Sequence, residues 1–393
     1  MLGTQSLAER SRVSGCTGDL PFECRTLPST TPPNTTISDA PRINRRLWYQ
    51  VRPKRGPYLP LLLHTGDALF SPPPIVPVTL FGMILGLGGL SNGWRTAGRI
   101  WQAPALVGDV LAVLTALIWA TLLVLYVGKW FWARQEAVAE ARHPIQGFFL
   151  ALLPVSSMIV SIVLAPMLPS AAWALCMAGV AGQIVFSAYG MGGIWQGGRT
   201  AETTTPVLYM PTVGGGFVSA IALSAFGHAD WGVLFFGGGF ISWIVLESLI
   251  IHRLMMLSEL APALRTTLGI HLAPPAVGCV AYLSVTAGPP DLMAQMLFGY
   301  ALFQAAIMIR LIPWLRAQPF TAGYWAYTFA VSALPLAALR FIEKGHAGPI
   351  AGMALPLFVA ANTIIGAILI GTVALLVTGR LLPRSEAPAA AGD

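Results

Sequence analysis

Residues 207–227, VLYMPTVGGGFVSAIALSAFG, and residues 231–252, WGVLFFGGGFISWIVLESLIIH, decide the fold. The first block holds no charged side chain and the second only Glu247. Each is about as long as an α-helix needs to cross a bilayer core, roughly 20 residues. Only His228, Ala229 and Asp230 separate them, so the two blocks predict a pair of membrane helices joined by a tight turn. The first carries Pro211 and the second carries no proline.

Blocks of the same kind recur on both sides. Ten candidate spans are predicted: 76–94, 106–128, 145–165, 170–190, 207–227, 231–252, 268–286, 291–312, 323–341 and 351–379. Composition agrees. The chain has 393 residues, 55% hydrophobic and 10% charged, with a mean hydropathy of +0.69. Soluble domains carry about 25% charged residues, so these charges are too few to cover a soluble surface. An all-α integral membrane protein is the class that fits.

The net charge is +7, and residues 1–55 hold nine Lys/Arg against four Asp/Glu. That stretch, rich in Ser, Thr, Pro and Arg, reads as a disordered basic tail. Residues 56–72 read as an interfacial segment and 381–393 as a second disordered tail, leaving 73–380 as the membrane domain. With no basic face outside the tail, nucleic acid is not an expected partner. Cys16, Cys24, Cys176 and Cys279 match neither a zinc site nor a CxxC pair. Asn34-Thr35-Thr36 is read as an accidental glycosylation match on a cytoplasmic tail. No Walker loop, HExxH, GxSxG or metal-ligand cluster stands in the sequence, so no enzyme, cofactor or metal is expected. Beyond the tail, ten Lys/Arg fall in the loops on one side of the spans and four on the other (Arg95, Arg99, Arg340 and Lys344). The ten share their side with both termini, which are therefore predicted cytoplasmic, in a cell inner or plasma membrane.

The prolines form a repeat. Pro77, Pro154, Pro211, Pro274 with Pro275, and Pro335 fall in or beside the odd-numbered spans, and the interiors of spans two, four, six and eight have none. Asp109, Asp230 and Asp291 begin even-numbered spans, where a carboxylate caps free amides. The unit is thus a helical hairpin with one proline-bearing and one straight helix, repeated five times. A proline frees a backbone carbonyl, which a membrane tolerates where it faces protein or a wet cavity. Five kinked helices therefore predict an inner ring around a central pore. The inner spans contain few ionisable groups, which disfavours a proton relay or an acidic cation filter and favours anions. Glu247 lies about a turn and a half before Arg253 and is read as a structural pair with it or an interfacial side chain, ahead of a role in coupling.

The motif order resembles one family. Phe81-Gly82-Met83-Ile84-Leu85-Gly86-Leu87 with Trp94, Lys129-Trp130 with His143-Pro144, Pro206-Val207-Leu208-Tyr209-Met210-Pro211, Trp243 with Glu247 and Arg253-Leu254, Ala273-Pro274-Pro275, Gly299 to Gln304 with Arg310-Leu311, and Trp325 to Phe329 occur in sequence. Together they resemble the tellurite-resistance and C4-dicarboxylate transporter family, which includes bacterial TehA-like proteins, yeast malate and sulfite carriers and the slow anion channels of plant guard cells. The resemblance implies ten helices as five hairpins around a central anion pore, in a homotrimer. It also implies an aromatic pore gate at Phe329. Phe81, Gly82 and Glu247 are further candidates for the pore or for coupling. A proton-coupled carrier of C4-dicarboxylate, sulfite or tellurite is the alternative.

Overall fold

A computed structural model describes residues 74–382; the expected tail at 1–55, the interfacial segment at 56–72 and nearly all of the carboxy-terminal tail lie outside these residues. The described part is helical throughout, with no strand among the described residues. Its helices are α1 (Gly82–Trp101), α2 (Ala105–Trp132), α3 (Arg134–Arg142), α4 (Leu152–Leu164), α5 (Pro169–Trp195), α6 (Gly215–Ala225), α7 (Ala229–Met256), α8 (Leu268–Val285), α9 (Leu292–Leu315), α10 (Trp325–Glu343) and α11 (Pro349–Val377).

Nine helices among the described residues are long and apolar enough to cross a membrane, counting the short helical turns that lead into α4, α6, α8 and α10. They fall into two kinds. In the spans containing α4, α6, α8 and α10, between 56% and 78% of the most apolar stretch is buried. In α2, α5, α7, α9 and α11 the share is 22% to 33%, so most of their apolar surface faces outward. With no internal water to satisfy backbone groups, such outward apolar surface belongs against lipid. The first helix, α1, is long enough but falls short in hydropathy, because its glycines and Asn92, Arg95 and Arg99 dilute it. It lies in the core instead, with Ile84, Leu85 and Leu87 buried.

The two kinds differ in backbone too. Each of α1, α4, α6, α8 and α10 is entered through a 3-10 turn, at Val78–Phe81, Gln146–Ala151, Pro206–Leu208, Pro262–Thr267 and Ala322–Tyr324. A π-helical turn, Met210–Gly214, stands between the third of these and α6. The outer helices run 24 to 29 residues without such a lead-in. Helices α1, α4, α6, α8 and α10 pack each against the next, and α10 returns to α1, closing a circuit. Helix α2 packs on α1, α5 on α4, α7 on α6, α9 on α8 and α11 on α10.

Small residues set the tightest contact of the circuit. A side-chain carbon on Gly86 would stand 2.1 Å from Thr328 Oγ1, and one on Gly89 would stand 2.1 Å from Ser332 Oγ. On the other flank of α10, a carbon on Gly269 would meet the Tyr327 backbone nitrogen at 2.6 Å. Helix α10 is thus gripped by α1 and α8 at near-backbone contact, the close approach that glycine permits in membranes.

The prolines occupy several settings. Pro77 stands before the first turn rather than inside a helix, and Pro154 is in the first turn of α4. Pro211 lies in the π-helical turn, Pro274 and Pro275 inside α8, and Pro335 inside α10. Helix α9 reaches past the expected end of its span and so includes Pro313, and α11 contains Pro356. The carbonyl of Pro211 accepts hydrogen bonds from Gln183 and Ser187, so it is directed to α5 and not to the axis of the circuit.

Candidate functional site

Where the five proline-bearing segments meet, they enclose a cavity of about 30 Å³. Leu85 of α1, Val155 of α4, Val213 and Phe217 of the α6 segment, Val277 of α8 and Phe329 of α10 line it. Space for a water needs about 10–15 Å³ by this measure, so the cavity has room for two or three molecules. Its walls are hydrocarbon, and such cavities stay dry. Tyr209 is the one lining residue with a polar side-chain atom, and that atom is engaged elsewhere.

A wider vestibule of about 450 Å³ adjoins it. Thr79 and Gly82 at the start of α1, Gln146 ahead of α4, Thr266 and Thr267 ahead of α8, and Trp325 at the start of α10 contribute to its wall. Helix starts carry partial positive charge, and no Asp, Glu, Lys or Arg lines this space among the described residues. Leu85, Met210, Ile270, Ala273 and Phe329 line both spaces. Phe329 is partly exposed, as are Ala326, Tyr327 and Val331 near it on α10. It forms part of the boundary between vestibule and cavity, and the glycine grip on α10 fixes its position.

Of the expected pore prolines, Pro274 reaches the cavity wall and the other five do not. Gly82 lines the vestibule. Phe81 is fully buried and meets Tyr126 edge-on at a centroid distance of 6.0 Å, so it packs α1 against α2.

Glu247 differs most from its sequence reading. It makes no pair with Arg253, whose guanidinium donates instead to the Ser258 carbonyl at 2.8 Å. The carboxylate turns inward to a network drawn from four segments. One oxygen accepts from the Tyr209 hydroxyl at 2.5 Å and from Trp243 Nε1 at 2.8 Å. The other accepts from the Tyr300 hydroxyl at 2.8 Å and Gln304 Nε2 at 3.5 Å, and stands 3.6 Å from His271 Nε2. The Tyr209 hydroxyl is also 3.2 Å from His271 Nδ1. With Tyr209 donating to the carboxylate, its oxygen takes the Nδ1 proton, which assigns the tautomer from the network and leaves Nε2 as an acceptor for Gln304, 3.3 Å away. A partly buried carboxyl and a buried imidazole thus lie one side chain behind the cavity wall. The signal in sequence was the coincidence of Tyr209, His271, Tyr300 and Gln304 with polar type inside apolar spans, but their convergence is non-local.

A buried charge pair anchors the first segment. Lys129 Nζ is 2.8 Å from Glu140 Oε2, both nearly sealed from solvent. Glu140 also accepts from the Val78 backbone N–H at 3.0 Å and the Tyr126 hydroxyl at 3.1 Å, and Lys129 donates to the Val76 carbonyl at 3.3 Å. The carboxylate thereby caps the start of the turn that leads into α1, where negative charge is favoured.

At the far end, the four Lys/Arg counted on that side of the spans are already engaged. Arg95 pairs with Asp109, and Arg99 and Arg340 share Glu343. Lys344 donates to the carbonyls of Thr286 and Gly288. These side chains tie helix ends together, so they supply less free positive charge than the sequence count implied. No group of three or more metal-binding side chains occurs among the described residues.

Comparisons with known proteins show the family. Residues 76–373 match the family model described as voltage-dependent anion channel, SLAC1. The chain is similar to the tellurite resistance protein TehA homolog of Haemophilus influenzae, 34% identical over 306 residues, covering 78% of this chain and 92% of that protein. It is also similar to two Arabidopsis thaliana proteins, the S-type anion channel SLAH2, 25% identical over 280 residues, and the guard cell S-type anion channel SLAC1, 22% identical over 341 residues. The matched region is 53% and 60% of the length of those plant proteins, and 68% and 79% of this chain. A family model that covers most of the chain, and a relative matched over nearly its whole length, make this protein a member of the SLAC1 voltage-dependent anion channel family, an integral membrane protein of the anion channel and transporter class.

Proposed function

We propose that the chain passes small anions along the axis of the circuit formed by α1, α4, α6, α8 and α10, and that Phe329 is the gate. The observation that carries this reading is the position of Phe329, which borders both the wide vestibule and the small dry cavity. An aromatic ring there blocks an anion by excluding water and offering it no ligand. The electropositive helix starts favour anions on the vestibule side. In the same reading α1 is a tenth span, each proline-bearing helix and its outer partner form one of five hairpins, and three copies assemble as a homotrimer. Both termini are then cytoplasmic in an inner or plasma membrane.

The test is Phe329→Ala in reconstituted vesicles. Anion flux rises about tenfold or more, a barrier reduction of about 1.4 kcal/mol. Flux equal to that of the unsubstituted protein removes Phe329 as the gate.

A second reading has its own support. A proton-coupled carrier of C4-dicarboxylate, sulfite or tellurite needs a group that takes up a proton next to the pathway. Glu247 and His271, 3.6 Å apart behind Tyr209, are such groups. Uptake that stops when the proton gradient is collapsed, in the parent protein but not in Glu247→Gln, selects this reading.

A further inference from the structure

A groove of about 1160 Å³ opens at one edge of the bundle, between α3, the turn Gln146–Ala151 and the last turns of α5. It shares no lining residue with the central cavity and only His143 with the vestibule. Two arginines line it, Arg142 and Arg199, and no Asp or Glu among the described residues does. Neither arginine is in an ion pair among the described residues. Arg142 is exposed. Arg199 is half-buried, with its guanidinium 5.2 Å from the centre of the Phe148 ring and one terminal nitrogen donating to the Thr203 carbonyl. Its Nε is buried and has no partner. An unmet buried donor costs about 1–3 kcal/mol, and more when it is charged. Burial also pushes the Arg199 pKa down, a further sign that its charge lacks compensation.

The surroundings fix both depth and ligand class. Tyr189 and Trp195 on the last turns of α5 are 83% and 84% exposed, and Trp130 lines the opposite wall. Tyr and Trp of this kind collect at the membrane–water boundary. The floor is open backbone. Carbons placed on Gly192, Gly193, Gly197 or Gly198 would meet nothing within 4 Å, and the last two glycines hold φ values of +86° and +79°. The groove is therefore basic, lined by aromatics and polar groups, and placed at headgroup depth. Guanidinium groups bind phosphate in a bidentate fork, and basic pockets between membrane helices take acidic headgroups.

We propose that this groove binds the phosphate headgroup of an anionic phospholipid, with Arg142 and Arg199 as its phosphate ligands. The lipid tails then lie along the exposed face of α5.

Native mass spectrometry of the full chain, released from detergent, tests the proposal with short-chain phosphatidylglycerol, phosphatidylcholine and inorganic phosphate as probes. Phosphatidylglycerol binds ahead of phosphatidylcholine. Arg142→Gln and Arg199→Gln each weaken phosphatidylglycerol about fivefold, the share expected of one arginine at a charged surface. Arg316→Gln, an exposed arginine outside the groove, leaves it unchanged. Because Arg142 is exposed, its variant reports even if Arg199→Gln folds poorly. Three results overturn the proposal: equal binding of the two lipids, displacement of phosphatidylglycerol by millimolar inorganic phosphate, or arginine variants that change the number of chains in the assembly and not the lipid bound. None of these readouts involves anion flux, so failure here leaves the gate assignment to its own test.

Discussion

Removing the Lys129 ammonium while keeping Glu140 leaves a carboxylate with no countercharge in a site that water hardly reaches. The pair is 2.8 Å apart, with side-chain exposures of 3% and 8%. Taking away one partner of such a pair costs about 3–5 kcal/mol, because the remaining charge keeps its desolvation penalty. Two hydrogen bonds to Glu140 survive in Lys129→Met, from Val78 N–H and the Tyr126 hydroxyl, and they place the loss toward the lower bound, about 3 kcal/mol. Replacing both residues, in Lys129→Met with Glu140→Met, removes the stranded charge but also uncaps the turn before α1. A lost cap costs about 1 kcal/mol, so the double variant recovers about 2 kcal/mol relative to Lys129→Met. The assay is a double-mutant cycle on unfolding of the detergent-solubilised protein, read from helical circular dichroism against denaturant. The segment at stake carries Thr79 and Gly82 of the vestibule wall, so anion flux should become erratic in Lys129→Met and steadier in the double variant. If Lys129→Met loses less than about 1 kcal/mol, or the double variant is the sum of the two single losses, the pair is not coupled and the argument from burial is wrong.

Glu247→Gln must place its amide nitrogen on the side of Tyr300, Gln304 and His271, because the Trp243 indole N–H cannot turn away from the other oxygen. One or two bonds are lost and one to His271 is gained, a net cost of about 1–3 kcal/mol in denaturant unfolding. Gly86→Ala drives a carbon to within 2.1 Å of Thr328 Oγ1 and should cost about 1–3 kcal/mol. Gly299→Ala on α9, with nothing within 4 Å, should be neutral or stabilising in the same assay. Asp291 caps α9 by accepting from the Ala294 N–H at 3.0 Å, and Asp291→Ala should cost about 1 kcal/mol. The Tyr282 hydroxyl and then that amide hold the Asp291 carboxyl below the usual range, so its folded pKa lies under the unfolded one. Its stabilisation is therefore full above about pH 4 and lost as pH falls through the lower folded value, a slope that Asp291→Asn should remove from a melting-temperature profile.

The spans were legible because lipid demands long apolar runs, and nine of the ten expected segments coincide with helices apolar enough to cross. Boundaries failed where polar residues continue a helix beyond the apolar run. Helix α1 runs through Arg95 and Arg99 to Trp101, and α7 runs through Arg253 to Met256. Helix α3 was missed altogether, since its charged sequence RQEAVAEAR reads as a loop while it buries Ala137 and Glu140. The proline alternation holds only in part, since α9 includes Pro313 and α11 includes Pro356, and what each proline does was not readable. Pro211 hands its carbonyl to α5, and Pro77 lies outside the helix. Glu247 was misjudged for a similar reason. Its nearest cation in sequence, Arg253, is on the same helix, but apart from Trp243 its partners come from α8, α9 and the turns before α6, up to 57 positions away. Local spacing ranks near neighbours first, and a buried polar network is assembled by packing that spacing does not encode.

The reversal potential of Phe329→Ala in a planar bilayer, with a nitrate or chloride gradient and equal pH on both sides, tests the central claim most directly. An anion pathway gated by Phe329 gives a current much larger than that of the parent protein, reversing near the Nernst potential of the anion and not moving when a pH gradient is added. No increase in current, or a reversal potential that follows the proton gradient, contradicts it.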